Sequence, residues 1–238
     1  MLRILKRSIF IVLHMRTFIT ILFFLAATFT YGQQLGQVTF TNARSLAYYS
    51  ILTDQDVLVR ITEDGKILEW GTEILSERGS YYAQKLQPFL ARVEYYDAGA
   101  DSAYRGKVKS IGTTNITYYD SYEEATRRGK LKRIGMMNLD YYSMYDDKGI
   151  RGKIKFAGDL LLDYYGSYED ESVRGKLKSI GNIPIAWVTV FEDRFNAGKI
   201  KSAGSVSYQW YSQYDRAHGA LKSNNYRTWS GGILFILR

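Results

Sequence analysis

A fixed 23-residue step runs through this chain. Tyr95, Tyr118, Tyr141, Tyr164, Trp187 and Trp210 form one column, and Gly106, Gly129, Gly152, Gly175 and Gly198 form another. A period of 20–50 residues means that one supersecondary unit has been copied and stacked, because a single copy cannot bury its own apolar face. The fold is therefore an array, and its recurring side chains line up in rows.

Each unit splits into two short strands. Met137, Leu139 and Tyr141 alternate with the polar Asn138 and Asp140, and Leu160, Leu162 and Tyr164 keep the same every-second spacing, so those side chains share one strand face. The second strand reads Lys-aliphatic-Lys, as in Lys130-Leu131-Lys132, and the same alternation turns both lysines one way. Polar stretches such as Tyr122-Glu123-Glu124-Ala125-Thr126-Arg127 read as loops. Gly112, Gly135, Gly158, Gly181 and Gly204 mark turns into the next unit, where positive φ is needed. Tyr, Ile, Val and Thr dominate the regular segments and favour strands over helices. Pro184 falls in a strand register, which predicts an edge, a bulge or a break.

The fold class expected is all-β: an antiparallel meander of about a dozen short strands, built from tandem hairpins, curved or solenoid-like, with a partial barrel as the limit of its curvature. Its apolar face must be covered. It can curl over itself, pack against the N-terminal segment, or meet a second chain. Residues 33–92 read as an N-terminal β segment with degenerate repeats, including a worn copy over Ser80 to Phe89. Residues 93–225 hold the regular hairpins. Residues 226–238 read as a capping strand that closes the stack.

The spacing Tyr164-x-Gly166-x-Tyr168 followed by Gly175 resembles the MORN repeat, and the frame recurs at Tyr118/Tyr122/Gly129, Tyr141/Tyr145/Gly152 and Trp187/Phe191/Gly198. The family's Gly-x-Gly is replaced here by Gly-Lys-Leu-Lys. Tyr145-Asp146-Asp147-Lys148-Gly149 is similar to the YD repeats of bacterial surface proteins. The Tyr-Tyr-Asp and Gly-Lys-Ile-Lys units are similar to those of uncharacterised exported bacterial repeat proteins. The resemblance covers about residues 93 to 225 and implies hairpin architecture.

Residues 1–32 differ from the rest. Arg16, an apolar run from Phe18 to Ala27, and Thr30-Tyr31-Gly32 read as a secretory signal peptide cleaved before Gln33, with Met15 as an alternative start. The expected location is the periplasm, the outer membrane or the exterior of a Gram-negative cell. Loss of Arg3, Lys6, Arg7 and Arg16, with no acids, takes the formal charge from +8 to +4. The interleaved acids argue against nucleic acid as a partner. Cysteine is absent, so an exported chain relies here on packing and hydrogen bonds.

His218 is the only histidine after the expected cut, which excludes multi-histidine zinc sites. The acidic loops lack the alternating pattern of a calcium loop. No cofactor, metal or catalytic residue is expected, and the chain reads as non-enzymatic. The function expected is an envelope scaffold or protein-interaction surface. The alternative is a carbohydrate- or anionic-lipid-binding module, with a small outer-membrane barrel behind both. Two rows are the candidate ligand surface. One is Tyr96, Tyr119, Tyr142, Tyr165 and Tyr211, which alternation places opposite the first aromatic column and exposes if that column is buried. The other is Lys107, Lys130, Lys153, Lys176 and Lys199, whose simpler reading is a solvated sheet face. The partner expected is an envelope component (protein, glycan or anionic lipid), and the sheet face or edge can support an oligomer.

Overall fold

The computed structural model describes residues 33–73, 85–223 and 225–238. The signal-peptide reading and residues 80–84 of the worn copy lie outside them. Among the described residues all the regular structure is β, with 17 strands in two sheets.

The repeats form an 11-stranded antiparallel meander in strict chain order. Its strands are β5 (Val93–Tyr95), β6 (Val108–Ile111), β7 (Thr114–Tyr118), β8 (Leu131–Ile134), β9 (Met137–Tyr141), β10 (Ile154–Ala157), β11 (Leu160–Tyr164), β12 (Leu177–Ile180), β13 (Ile183–Trp187), β14 (Ile200–Ala203) and β15 (Val206–Ser207). Consecutive copies are neighbours throughout, so like residues form rows. The sheet does not close into a barrel; it ends at β5 and β15.

The chain's two ends build the second sheet. It holds β1 (Gln34–Thr41), β2 (Ser45–Leu52), β3 (Leu58–Ile61), β4 (Ile67–Gly71), β16 (Arg227–Ser230) and β17 (Ile233–Leu237), in the order β16-β17-β1-β2-β3-β4. The last strand therefore does not close the repeat stack. It lies inside the second sheet, parallel to β1, with Val38 opposite Phe235 and Thr39 opposite Ile236. Five consecutive buried residues suit a strand covered on both faces.

One core lies between the sheets. Val38, Phe40, Tyr49, Ile51, Val59, Ile61 and Phe235 from the second sheet meet Ile116, Leu131, Leu139, Tyr141, Leu162, Tyr164 and Trp187 from the repeats. Full burial of such side chains is worth about 1.5–3 kcal/mol each. The Phe40 and Trp187 rings meet edge to face at 5.4 Å, and the buried Tyr49 and Tyr164 hydroxyls bond at 2.8 Å. The N-terminal segment, joined by β16 and β17, is thus the cover that the apolar face requires.

Turn chemistry follows the glycines. Gly112, Gly135, Gly158, Gly181 and Gly204 have φ of 52–59°. Each opens a two-residue hairpin, such as the one closed by Ile180 and Ile183, where Gly at the first central position accommodates positive φ. Pro184 is neither at an edge nor at a break. It pairs with Ser179 inside the sheet, and its carbonyl accepts from the Gly204 N–H. Other repeats use the same position in the same way, as acceptors (Asn115, Asn138 and Leu161).

The second strand of each repeat carries a bulge. Thr117 pairs with Arg133 and Tyr118 with Leu131, leaving Lys132 as the extra residue. The same offset leaves Lys109, Lys155, Lys178 and Lys201 as extras in their own strands. A bulge re-aims the side chains beside it. It brings Leu131 and Ile134, three apart, into the same core. The second sheet supplies acceptors to N–H groups at these positions: Gly65 O to Leu131 N at 3.3 Å, Glu63 O to Ile154 N at 2.8 Å, and Ala43 O to Ile200 N at 2.8 Å. Buried backbone groups require such partners.

Candidate functional site

The two rows expected to face a ligand are committed to the fold. Tyr119 and Tyr142 are buried, and Tyr96, Tyr165 and Tyr211 are half-buried. The first column is buried too at Tyr141, Tyr164 and Trp187. Alternation fails because Tyr142 and its equivalents lie past the strand end, at the loop mouth. Their rings lean onto the next repeat, with Tyr119 against Tyr141 and Tyr142 against Tyr164, centroids 6.0 Å apart in both cases. Their hydroxyls donate to carbonyls 20 residues on: Tyr96 to Ile116 at 2.9 Å, Tyr119 to Leu139 at 3.0 Å, Tyr142 to Leu162 at 3.0 Å and Tyr165 to Ile185 at 3.4 Å. Burial, with the Asp163 charge behind it, pushes the Tyr142 phenol up to about 12.

The lysine row is not an open, solvated stripe. Each ammonium lies over an aromatic ring of the first column: Lys107 over Tyr118, Lys130 over Tyr141, Lys153 over Tyr164, Lys176 over Trp187 and Lys199 over Trp210, at 4.7–5.2 Å. Each also donates to a glycine carbonyl of the following unit, Gly129, Gly152, Gly175, Gly198 and Gly219 in turn. At Gly152 φ is +73°, a conformation that calls for glycine, and a Cβ there would have to displace the Lys130 ammonium, 2.8 Å away, from its place. The partner lysines Lys132, Lys155 and Lys178 cover the second aromatic column, over Tyr119, Tyr142 and Tyr165. The lysines of the first row are clamps between repeats, each combining a cation–π contact with a charge-assisted hydrogen bond.

A third aromatic row is open. Tyr122, Tyr145, Tyr168, Phe191 and Tyr214 keep the 23-residue step and are 94, 89, 97, 92 and 89% exposed. They stand in the long loop that joins the two strands of each unit. Adjacent units are two strand spacings apart, so the rings repeat about every 10 Å. Side chains this exposed contribute little to the core.

The backbone beneath the row is fixed. An acid from the preceding unit caps the residue just before each of the first four rings. Asp101 accepts from the Ser121 N–H at 3.2 Å and its hydroxyl at 2.7 Å. Glu124 accepts from the Met144 N–H. Asp147 accepts from the Ser167 N–H at 2.9 Å and its hydroxyl at 2.6 Å, and Asp170 accepts from the Val190 N–H. The Ser167 hydroxyl, with the Gly149 N–H beside it, holds the Asp147 carboxyl below the usual carboxylate range. For Asp101 the Ala103 N–H acts first and the Ser121 hydroxyl next. Phe191 and Tyr214 have further capped backbone nearby, from Glu192 to the Thr189 N–H and from Asp215 to the Ser212 N–H.

The sequence displays this row within the Tyr-x-x-x-aromatic frame, where it serves as a mark of the repeat. The signal that separates it from the structural columns is its setting: Ser121-Tyr122-Glu123-Glu124 has no apolar neighbour at strand spacing. His218, in the last loop, is exposed and meets Phe195 edge-on at 6.1 Å. Among the described residues no group of three or more His, Cys, Asp or Glu side chains could hold a metal ion. No protein-family model, curated protein or solved structure matches this chain.

Proposed function

We propose that this chain is an exported, non-catalytic β-repeat scaffold of the cell envelope that binds a protein partner through its loop-tip aromatic row. The observation that carries the reading is the row itself: five aromatic side chains in one register, each about nine-tenths exposed. Exposed apolar groups aligned in one patch are a signature of interaction surfaces. Tyrosine suits the role, because it offers large contact area for little conformational entropy and keeps a polar tip. Fixed loops lower the cost of binding further. The recurring acids are spent on caps and the recurring lysines on clamps, which supports binding over chemistry. An extended glycan is the second reading, favoured because phenol faces at a regular step offer a stacking platform to a repeating polymer.

The test is a variant with Tyr122, Tyr145, Tyr168, Phe191 and Tyr214 all changed to Ser. Its unfolding midpoint should stay near the parent's, since exposed substitutions away from caps and core fall within about 0.5 kcal/mol each. Its retention on envelope membrane proteins should fall at least tenfold in pull-downs run beside cell-wall sacculi and anionic liposomes. Unchanged retention rejects the row as the working surface. Retention by sacculi alone, lost in the variant, selects the glycan reading.

A further inference from the structure

The second sheet carries a cleft on its outer face, away from the core and from the repeat loops. Across β16, β17 and β1 the residues Trp229, Leu234 and Gln37 lie side by side. With Asp56, Glu73 and Arg227 they line a cavity of about 410 Å³, within the range of small-ligand sites.

Its polar groups are built in. Gln37 is 93% buried, being 7% exposed. Its amide Nε2 donates to Glu73 Oε2 at 2.6 Å. A carboxylate only accepts, so this bond fixes the amide orientation and leaves Oε1 as the other atom. That Oε1 is buried and has no hydrogen-bond partner among the described residues. Glu73 is held in turn by Arg227, whose Nη2 stands 3.2 Å from Oε1. Beside this triad the Trp229 side chain is 66% exposed. A buried acceptor left empty is costly, and such a group calls for an explanation.

We propose that this cleft binds a neutral sugar ring. A sugar hydroxyl donates to Gln37 Oε1, and the ring's C–H face stacks on Trp229. Arg227 has further N–H donors for ring or hydroxyl oxygens. Two carboxylates, Asp56 and Glu73, against one guanidinium disfavour an anionic ligand. The bond from Gln37 and the ion pair from Arg227 already satisfy part of the Glu73 charge, which weakens its call for a cation. Leu234 in the floor matches the apolar side of a pyranose. The site is independent of the aromatic row and does not rest on it.

The test titrates the full chain with the methyl glycosides of glucose, galactose, mannose and N-acetylglucosamine, followed by calorimetry and by tryptophan emission. The chain has four tryptophans, and Trp229→Phe assigns the signal. Saturable millimolar binding of at least one glycoside is expected, weakened at least tenfold by Trp229→Ala and by Gln37→Leu. Trp229→Ala alters an exposed side chain, so its fold should persist, and the unchanged circular dichroism of both variants is part of the test. Three outcomes overturn the proposal: no saturable binding of any of the four, binding that both variants retain in full, or binding of ethylamine with none of the sugars.

Discussion

At the scale of single residues, the lysine clamps set an unusual dependence on pH. Burial pushes the Lys176 ammonium down to about 8, and the Arg44 charge adds to it. The Gly198 carbonyl and the Trp187 ring hold the cation in place against that cost. Burial also lowers Lys107, Lys130 and Lys199. A lysine with a folded value below the ordinary 10.5 sheds its proton first in the native state. Between about pH 8 and 10.5 the unfolded chain then binds more protons, so stability rises with pH through that window. The tyrosines act in the opposite sense. Burial pushes the Tyr49 and Tyr164 phenols well up, so their contribution is complete below the ordinary 10 and is lost above it. The urea midpoint should therefore be higher at about pH 9.5 than at about pH 7.5 and should turn down above about pH 10.5. Lys176→Met should shrink the rise, and the other three clamps should keep part of it. A midpoint that falls steadily from neutral pH would show that the clamps do not titrate in this way.

At the scale of strands and loops, the buried Tyr49–Tyr164 pair joins β2 to β11 across the core. Tyr49→Phe leaves the Tyr164 hydroxyl buried without its partner, and Tyr164→Phe does the converse. Each should cost about 1–3 kcal/mol, the penalty for an unsatisfied buried group. The double variant leaves no orphan, so it should cost clearly less than the sum of the two. Urea unfolding of the four chains measures the coupling; additivity within about 0.5 kcal/mol would mean that the hydroxyls do not depend on each other. This pairing was not legible in the sequence, whereas the strands that hold it were. The 23-residue step, the alternation in Met137-Asn138-Leu139-Asp140-Tyr141 and the turn glycines specify hairpins in chain order, because all three signals are local. Lys132 hides a bulge, because Lys-Leu-Lys alternates correctly on its own and only the partner strand shows the extra residue. Tyr142 escapes alternation because the strand has ended before it. The pairing of β17 with β1 joins segments nearly 200 residues apart, and an apolar run carries no mark of its partner. The exposed row was visible as a period, and its polar setting, as at Ser121-Tyr122-Glu123-Glu124, marks it off from the two columns that hold the core.

At the scale of the whole molecule, the second sheet changes what a repeat array can tolerate. In an open array each unit meets only its neighbours, and stability is close to a sum over units and interfaces. Here the cover is pinned to named units. Gly65 and Glu63, in the turn between β3 and β4, accept from Leu131 in β8 and Ile154 in β10, while Ala43, between β1 and β2, accepts from Ile200 in β14. These three hydrogen bonds measure out a fixed length of the repeat sheet. Deleting residues 158–180 removes one whole period and joins Ala157 to Gly181, so every local turn and strand signal survives. It also draws β14 toward β10 by two strand spacings, about 10 Å. The cover cannot shorten to match, so Ala43 and Glu63 cannot both keep their partners, and apolar surface on both sheets loses its opposite. The shortened chain should retain β-type far-ultraviolet circular dichroism but lose most of the near-ultraviolet signal of its buried aromatic side chains. Its urea transition should be broad, with a midpoint far below the parent's. A sharp transition at the parent's midpoint would show that the cover slides freely along the repeats. The three bonds would then follow from packing and would not set the number of units the fold can hold.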